Sequence, residues 1–469
     1  MSDGDTLRGN QRRTASSEWR LIIAPLLVLA ALAISYSYII PLGYGPDEPR
    51  HYNAIRLLWV EQRLPRVLPD GRELGNAMAQ HPPTYYFVEG VFWYPAHGLG
   101  RAVARWARSG LLRRLVIGAE PAPVPDELLA EAVAYRIFRL TSLLWGMATI
   151  FLAFRAVQAL WPEQPLLAGC VAWLMAMWPH ALMNYATVTN DCGANFAGAL
   201  FVWYWACRAP RGPGDLRHAA AAGLVLALAA LMKIHVGATL AVVTVLALAW
   251  PHGRRCCLSA AFWARLAVAA GVVILLAGPW YARNFVLYGH INYVPEGYSI
   301  IPRGMTAVDA ALTGILGQAL LATLWGLFRS IWAQVGWFPQ SVAQLVYGIL
   351  LVFSVAALAG LRRFLLSCPS IAEWRRRAAC LLLPFPIAVL IAIYIALFVH
   401  FGWHEGGRYL LFALPGLALC LAGGLTTLFG DKRAIYVVVV LLAALNLLSA
   451  FNLVTYLNPT YGTTVLIGQ

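Results

Sequence analysis

Residues 46–52 read Pro-Asp-Glu-Pro-Arg-His-Tyr, directly after the first long apolar run of a chain that is otherwise mostly hydrocarbon. An adjacent Asp47-Glu48 pair beside a membrane span is costly to hold near lipid and contributes nothing to anchoring. If residues 47–60 are helical, Asp47 and His51 share a face at i,i+4. A carboxylate and an imidazole on one face suit general-base catalysis or metal ligation. The competing reading makes Asp47 a helix cap, with Pro49 tolerated in the first turn; it leaves Glu48 and His51 unexplained. Further along, Gln80-His81-Pro82-Pro83-Thr84-Tyr85-Tyr86 sets a histidine on a rigid extended turn, because paired prolines fix the backbone.

Other chemistry-bearing residues are scattered. Asn190-Asp191 supplies a second carboxylate, or caps the next helix. Lys233, beside His235, either faces the site or snorkels to the interface. Arg283-Asn284 with Tyr288-Gly289, and His404, Glu405, Arg408 and Tyr409, complete the set. Arg283 and Arg408 either pair with lipid head groups or Glu405, or hold a phosphate bidentately. Glu48, His51 and Asp191 are the candidate ligands for an optional divalent metal.

These residues must be positioned by membrane helices. The 469-residue chain is 60% hydrophobic and 12% charged, against about 25% charged in soluble domains. Windows of about 20 apolar residues recur, each long enough to cross a bilayer. The fold class expected is all-α, a polytopic helical membrane protein forming a single membrane domain over 1–469. A β-barrel would show short alternating strands instead. The net charge of +14 comes almost entirely from arginine. Those arginines sit in short loops between spans, which fits positive-inside topology and argues against nucleic-acid binding. No disulfide framework, zinc spacing, Gly-rich phosphate loop or dinucleotide fingerprint is present. The first apolar run is too long for a cleaved signal and reads as a retained span.

Eleven spans are expected, at about 20–41, 136–157, 166–184, 192–207, 218–234, 235–250, 266–282, 341–361, 379–400, 408–429 and 434–456. Arg8, Arg12, Arg13 and Arg20 put the N-terminus in the cytoplasm. Arg208, Arg211 and Arg217, then Arg254, Arg255 and Arg265, then Arg362 to Arg377, and Lys432-Arg433 mark further cytoplasmic loops. Parity then requires that 84–106, interrupted by Glu89, Pro95 and His97, lie on the outer interface and not cross. The same holds for 305–333. The first outer loop is 42–135, the second is 283–340, and C-terminal spans fill 341–469. All the polar residues singled out above then fall at one membrane face, as a shared cavity would require.

Taken in order, these motifs resemble those of the GT-C glycosyltransferases, in particular the protein mannosyltransferase and aminoarabinose transferase type. The matching elements are Pro46-Asp47-Glu48-Pro49-Arg50-His51-Tyr52 after span one, His81-Pro82-Pro83-Thr84-Tyr85-Tyr86 entering a juxtamembrane helix, Thr189-Asn190-Asp191, Leu231-Met232-Lys233, Arg283-Asn284 with Tyr288-Gly289, and Gly407-Arg408-Tyr409 with Pro415. Thr84 and Pro49 depart from the family pattern. No soluble domain is expected after the last span.

The resemblance implies an inverting transfer of a sugar from a polyprenyl-phosphate donor, at the outer face of a bacterial cytoplasmic membrane. The acceptor would be a lipid, a glycan or a protein, and membrane lipids would be the surroundings. No cofactor is required by this chemistry, and a divalent metal is an optional addition. Asp47, with Glu48 beside it, would be catalytic. His51, Gln80, His81, Asp191, Lys233, Arg283, Arg408 and Tyr409 would bind substrate. A secondary transporter or lipid flippase is the alternative, since both use membrane carboxylates and arginines; transporters place them near the midplane with repeat symmetry. A non-catalytic envelope scaffold is a third reading.

Overall fold

The computed structural model describes residues 3–68, 72–79, 81–106, 126–208, 215–249, 259–291, 314, 316–332, 344–366, 370, 384–394 and 406–461. Regular structure among them is helical, apart from one isolated bridge between Val67 and Glu73. This is a polytopic helical membrane architecture, as the composition requires.

The chain enters through α1 (Asp3–Ile39), followed by the short α2 (Glu48–Trp59), α3 (Thr84–Gly90) and α4 (Trp93–Trp106). The stretch 84–106 is thus broken by a turn at Val91-Phe92 and makes no continuous span. Next come α5 (Asp126–Leu160), α6 (Pro165–Ala176), α7 (Pro179–Tyr185), α8 (Asp191–Arg208), α9 (Leu216–Met232), α10 (Ile234–Ala249) and α11 (Ala260–Tyr288). The C-terminal part holds α12 (Leu316–Trp332), α13 (Gln344–Leu366), α14 (Pro384–Tyr394), a 3-10 segment Gly406–Ala413, α15 (Leu414–Phe429) and α16 (Asp431–Tyr461).

Among the described residues, six helices are long and apolar enough to cross a bilayer, and a bent pair makes a seventh. These seven fall on seven of the eleven expected spans. The other four expected spans fall on α8, α9, α10 and α14, which are apolar but shorter.

The bent pair is α6 and α7, which meet at 67°. Pro179 at the start of α7 cannot donate the hydrogen bond that would continue α6. The Met177 carbonyl freed at the break accepts instead from Asn446 Nδ2 of α16, at 2.7 Å. A broken helix inside a membrane bundle is tolerated only when its polar groups are satisfied this way.

The core is built where α5 packs on α8, α13 on α15 and α9 on α11. Small residues set the closest approach. A Cβ on Gly424 would meet the Ala357 carbonyl oxygen at 1.7 Å. Such small-residue contacts let helix backbones approach in lipid, where hydrophobic driving force between helices is weak.

One end of the bundle collects the C-termini of α1, α7, α9 and α11 and the N-termini of α5, α8, α10 and the Gly406–Ala413 segment. Contacts across the chain fix this sidedness. Arg139 of α5 donates to the Ile40 carbonyl, Tyr281 Oη of α11 donates to the Ala230 carbonyl, and Gly407 N donates to Ser330 Oγ. At the other end, Trp161 lies against Phe364, near Arg362 and Arg363.

Candidate active site

The site begins with a knot that holds the Asp-Glu motif in place. Glu48 is fully buried. Its Oε1 accepts from Arg139 Nε at 2.8 Å and from Val188 N at 2.9 Å. Its Oε2 accepts from Arg139 Nη2 at 2.7 Å, Gly45 N at 3.0 Å and Gly43 N at 3.1 Å. Arg139 spends its remaining donors on the carbonyls of Ser37, Ile40 and Pro41. The pair therefore ties the end of α1, the 43–45 turn and the 187–190 loop to α5. Gly45 packs so closely on Thr187 that a Cβ would meet its side chain at 2.6 Å. Glu48 has no oxygen left for a substrate, which corrects its expected place as a catalytic partner of Asp47.

Asp47, one residue earlier, has a different set of partners. It stands at the N-cap position of α2, yet its side chain makes no capping bond, and its φ is 57°, in the left-handed region. Asp tolerates that region better than most residues, but it is still an uncommon conformation. The capping reading is thus not realised. The carboxylate lies between two guanidinium groups, with Arg408 Nη2 at 3.1 Å from Oδ2 and Arg50 Nη1 at 3.6 Å from Oδ1. Its side chain is 15% exposed, the most accessible acid of the cluster. Arg50 is shared with Glu73 at 2.5 Å.

Behind this pair is a second one. Asp191 opens α8, accepts from Lys233 Nζ at 2.6 Å and accepts from Thr189 Oγ1 at 3.2 Å. Lys233 sits in the break between α9 and α10 and is 4% exposed, so it does not snorkel to the interface. The Tyr409 ring joins the two halves: Lys233 Nζ and the Arg408 guanidinium each lie 4.9 Å from its centroid. Arg408 also donates to Tyr409 Oη at 3.0 Å. His235 packs edge-on against the same ring.

Two imidazoles complete the floor. His51 Nδ1 lies 2.9 Å from Tyr86 Oη, and the His51 and His81 rings are 6.2 Å apart. Burial, reinforced by the charge of Lys233, holds both imidazoles well below their ordinary range. Both are neutral at neutral pH, because desolvation disfavours the charged form.

The structure thus brings together Asp47, His51, His81, Asp191, Lys233, Arg408 and Tyr409. Arg283 is placed elsewhere. It donates to the Pro65 carbonyl at 2.9 Å and to Asn284 Oδ1 at 3.1 Å, and stacks on Trp280. Tyr288 Oη accepts from Val67 N nearby. Both straps hold the 65–67 loop. Gln80, His404 and Glu405 lie outside the described residues.

The metal candidates do not form a ligand set. Glu48 is saturated by Arg139, Asp191 is neutralised by Lys233, and His51 engages Tyr86. Among the described residues, no three His, Cys, Asp or Glu side chains gather as a metal would need.

Arg139 escaped the sequence reading, although its signal was present. A charged residue inside an apolar segment requires a buried partner. Glu73 carried no comparable signal.

No family model matches the chain, and no curated protein matches it. Solved structures do. The oligosaccharyltransferase of Archaeoglobus fulgidus, solved in complex with Zn and sulfate, aligns over 92% of this chain at 14% identity with a TM-score of 0.50. This chain spans 53% of that protein's length, about half. ArnT from Cupriavidus metallidurans, solved bound to undecaprenyl phosphate, aligns over 88% of this chain and 78% of its own at 14% identity and a TM-score of 0.38. Its apo form aligns over 93% of this chain and 78% of its own, at the same identity and TM-score. The fold is GT-C-like.

Proposed function

We propose that the chain is an inverting glycosyltransferase, moving a sugar from a polyprenyl-phosphate donor to an acceptor at the outer face of the cytoplasmic membrane. The observation that carries this reading is the Asp47 carboxylate, partly exposed and sharing Arg408 with the group that holds the buried Lys233. The motif resemblance and the GT-C-like fold agree with it.

In this mechanism Asp47 Oδ takes the proton from the acceptor hydroxyl or amine. The acceptor atom attacks the anomeric carbon from the face opposite the phosphate. The bond from that carbon to the phosphate oxygen breaks, its electron pair leaves with the polyprenyl phosphate, and the anomeric configuration inverts. Arg408 and Lys233 stabilise the charge that develops on the departing phosphate. Each such contact contributes a few kcal/mol in a site of low dielectric. Glu48 is a positioning residue, because it holds the 43–48 turn that presents Asp47. His51 and His81, being neutral, orient the acceptor or the sugar by hydrogen bonds.

The distribution of basic residues supports the outer face. Arg208, Arg217, Arg362, Arg363, Lys432 and Arg433 stand at the helix ends opposite the cluster. Short loops rich in arginine and lysine remain cytoplasmic. The lipid acceptor, glycan acceptor and protein acceptor are equally compatible with the open side of Asp47.

The test is a purified-protein assay with synthetic polyprenyl-phosphate sugars, reading release of polyprenyl phosphate. The wild-type chain releases it, and Asp47→Asn abolishes release while retaining the parent thermal midpoint. Near-normal turnover by Asp47→Asn would remove its role as base. Movement of the lipid across liposomes without bond cleavage would replace the transferase reading with a transporter.

A further inference from the structure

Three buried side chains beside the Asp191–Lys233 pair carry polar atoms that the site as described does not use. His180 is 2% exposed, and Asn184 and Asn190 are 0% exposed. His180 Nε2, and both the amide nitrogen and the amide oxygen of Asn184 and of Asn190, have no hydrogen-bond partner among the described residues. Buried polar groups are nearly always paired, and leaving them unpaired costs stability. A concentration of such atoms at one place needs a reason.

Their placement supplies one. His180 and Asn184 lie four residues apart on α7 and so share a face. Cys192 Sγ donates to the Asn184 carbonyl at 3.0 Å, which ties that part of α7 to the first turn of α8. Asn190 immediately precedes Asp191. His180 lies within electrostatic reach of both Arg408 and Asp191. The unpaired atoms therefore flank the cluster that would hold a leaving phosphate. His180 Nδ1 donates to the Ser330 carbonyl; in the neutral ring Nε2 is then an acceptor. The two amides each offer a donor and an acceptor.

We infer that His180, Asn184 and Asn190 form the subsite for the hydroxyl groups of the donor's sugar ring. This rests on the glycosyl-transfer reading above. The chemistry selects the occupant. Hydroxyls donate and accept, as this set requires, whereas a phosphate takes donors alone and prefers cations. A hydrocarbon tail would leave every one of these atoms unpaired. The sugar is bonded directly to the phosphate, so its subsite must adjoin Arg408 and Lys233, and this one does.

The experiment compares the full-length wild-type chain with Asn184→Leu and Asn190→Leu, which conserve volume and remove the amides. Equilibrium binding is measured for bare polyprenyl phosphate and for a panel of polyprenyl-phosphate hexoses and aminopentoses. Wild type binds at least one glycosylated lipid tighter than the bare one by about tenfold or more, because a site built for hydroxyls rejects a ligand lacking them. Each leucine variant brings that ratio to about two or less, leaves the affinity for bare polyprenyl phosphate unchanged, and unfolds at or above the parent temperature. The last expectation follows because an unpaired buried amide is replaced by an apolar group of similar size. Asn190→Ala serves as a second variant should the leucine disturb the turn. A retained preference overturns the inference, as does a lowered unfolding temperature with loss of bare-lipid binding, which marks a packing role. Absence of any sugar preference in wild type overturns it too. The two readings fail differently: if wild type binds the glycosylated lipid with the expected preference but never releases polyprenyl phosphate, glycosyl transfer falls and the subsite stands.

Discussion

Replacing Glu48 by glutamine separates a positioning role from a catalytic one. The carboxylate accepts five bonds, from Arg139 Nε and Nη2, Val188 N, Gly45 N and Gly43 N. Glutamine keeps one oxygen and turns the other into a donor. Whichever way it is placed, that donor meets at least two donors, and the Arg139 charge, 1% exposed, loses its partner. Breaking a buried ion pair from one side costs about 3–5 kcal/mol. Glu48→Gln is therefore expected to lower the unfolding midpoint in detergent, followed by intrinsic tryptophan fluorescence, and to lower turnover with it. The conservative cycle sharpens the test. Glu48→Leu and Arg139→Met each destabilise, but the double variant is more stable than their sum predicts by roughly 2–4 kcal/mol, since neither charge is then left alone. A Glu48→Gln protein with the parent midpoint and no turnover would refute this reasoning and return Glu48 to the catalytic set.

Arg408 and Arg283 are expected to part company. Arg408→Lys loses the guanidinium nitrogen that bonds both Asp47 Oδ2 and Tyr409 Oη and lowers kcat/KM by about a hundredfold or more, whereas Arg283→Ala frees the Pro65 strap and changes steady-state kinetics by less than about tenfold. Glu89, buried and outside the spans, has its carboxyl raised to about 7 by burial, against the donated bonds of Thr141 and Trp145. A raised carboxyl binds its proton more tightly folded than unfolded, so its contribution is most favourable below the ordinary value of 4.5 and is lost as pH rises to about 7. The stability difference between wild type and Glu89→Gln, followed by thermal unfolding from pH 4.5 to 8, should shift against wild type across that window by up to roughly 3 kcal/mol; a flat difference would refute the assignment.

Much of the site was legible because membrane chemistry makes charge conspicuous. Asp47, Asp191, Lys233 and Arg408 stood out because each sits at the edge of an apolar run where a charge requires an excuse. Arginine parity then predicted that 84–106 would not cross, and the chain there forms two short helices, α3 and α4, separated by a turn. What the residues could not reveal was division of labour between adjacent groups. Asp47 and Glu48 are neighbours with the same functional group, and only a long-range partner, Arg139, distinguishes them. Arg283 was misplaced for the converse reason: its position at the end of α11 is right for a phosphate contact, but its guanidinium is taken by the Pro65 carbonyl. The break between α6 and α7 was hidden because Pro179 sits within an unbroken apolar stretch, and its cost is met by Asn446, far away in the chain.

The charges of the cluster explain why Asp47, and not a better-buried acid, suits the proposed transfer. Asp47, Glu73 and Asp191 face Arg50, Lys233 and Arg408, so the acids and cations balance. In the proposed transfer, protonation of Asp47 removes one negative charge, and departure of the phosphate adds one. The sum is unchanged, and no counter-ion needs to enter a site of low dielectric, where an uncompensated charge is costly. Arg408 is the group that makes this exchange local, since it touches Asp47 and, through the Tyr409 ring, lies beside Lys233. As Asp47 becomes neutral its hold on Arg408 weakens at the moment the phosphate oxygen gains charge. The Glu48–Arg139 pair could not do this: both partners are saturated, and taking a proton there would strand Arg139 among carbonyls and undo the turn that presents Asp47.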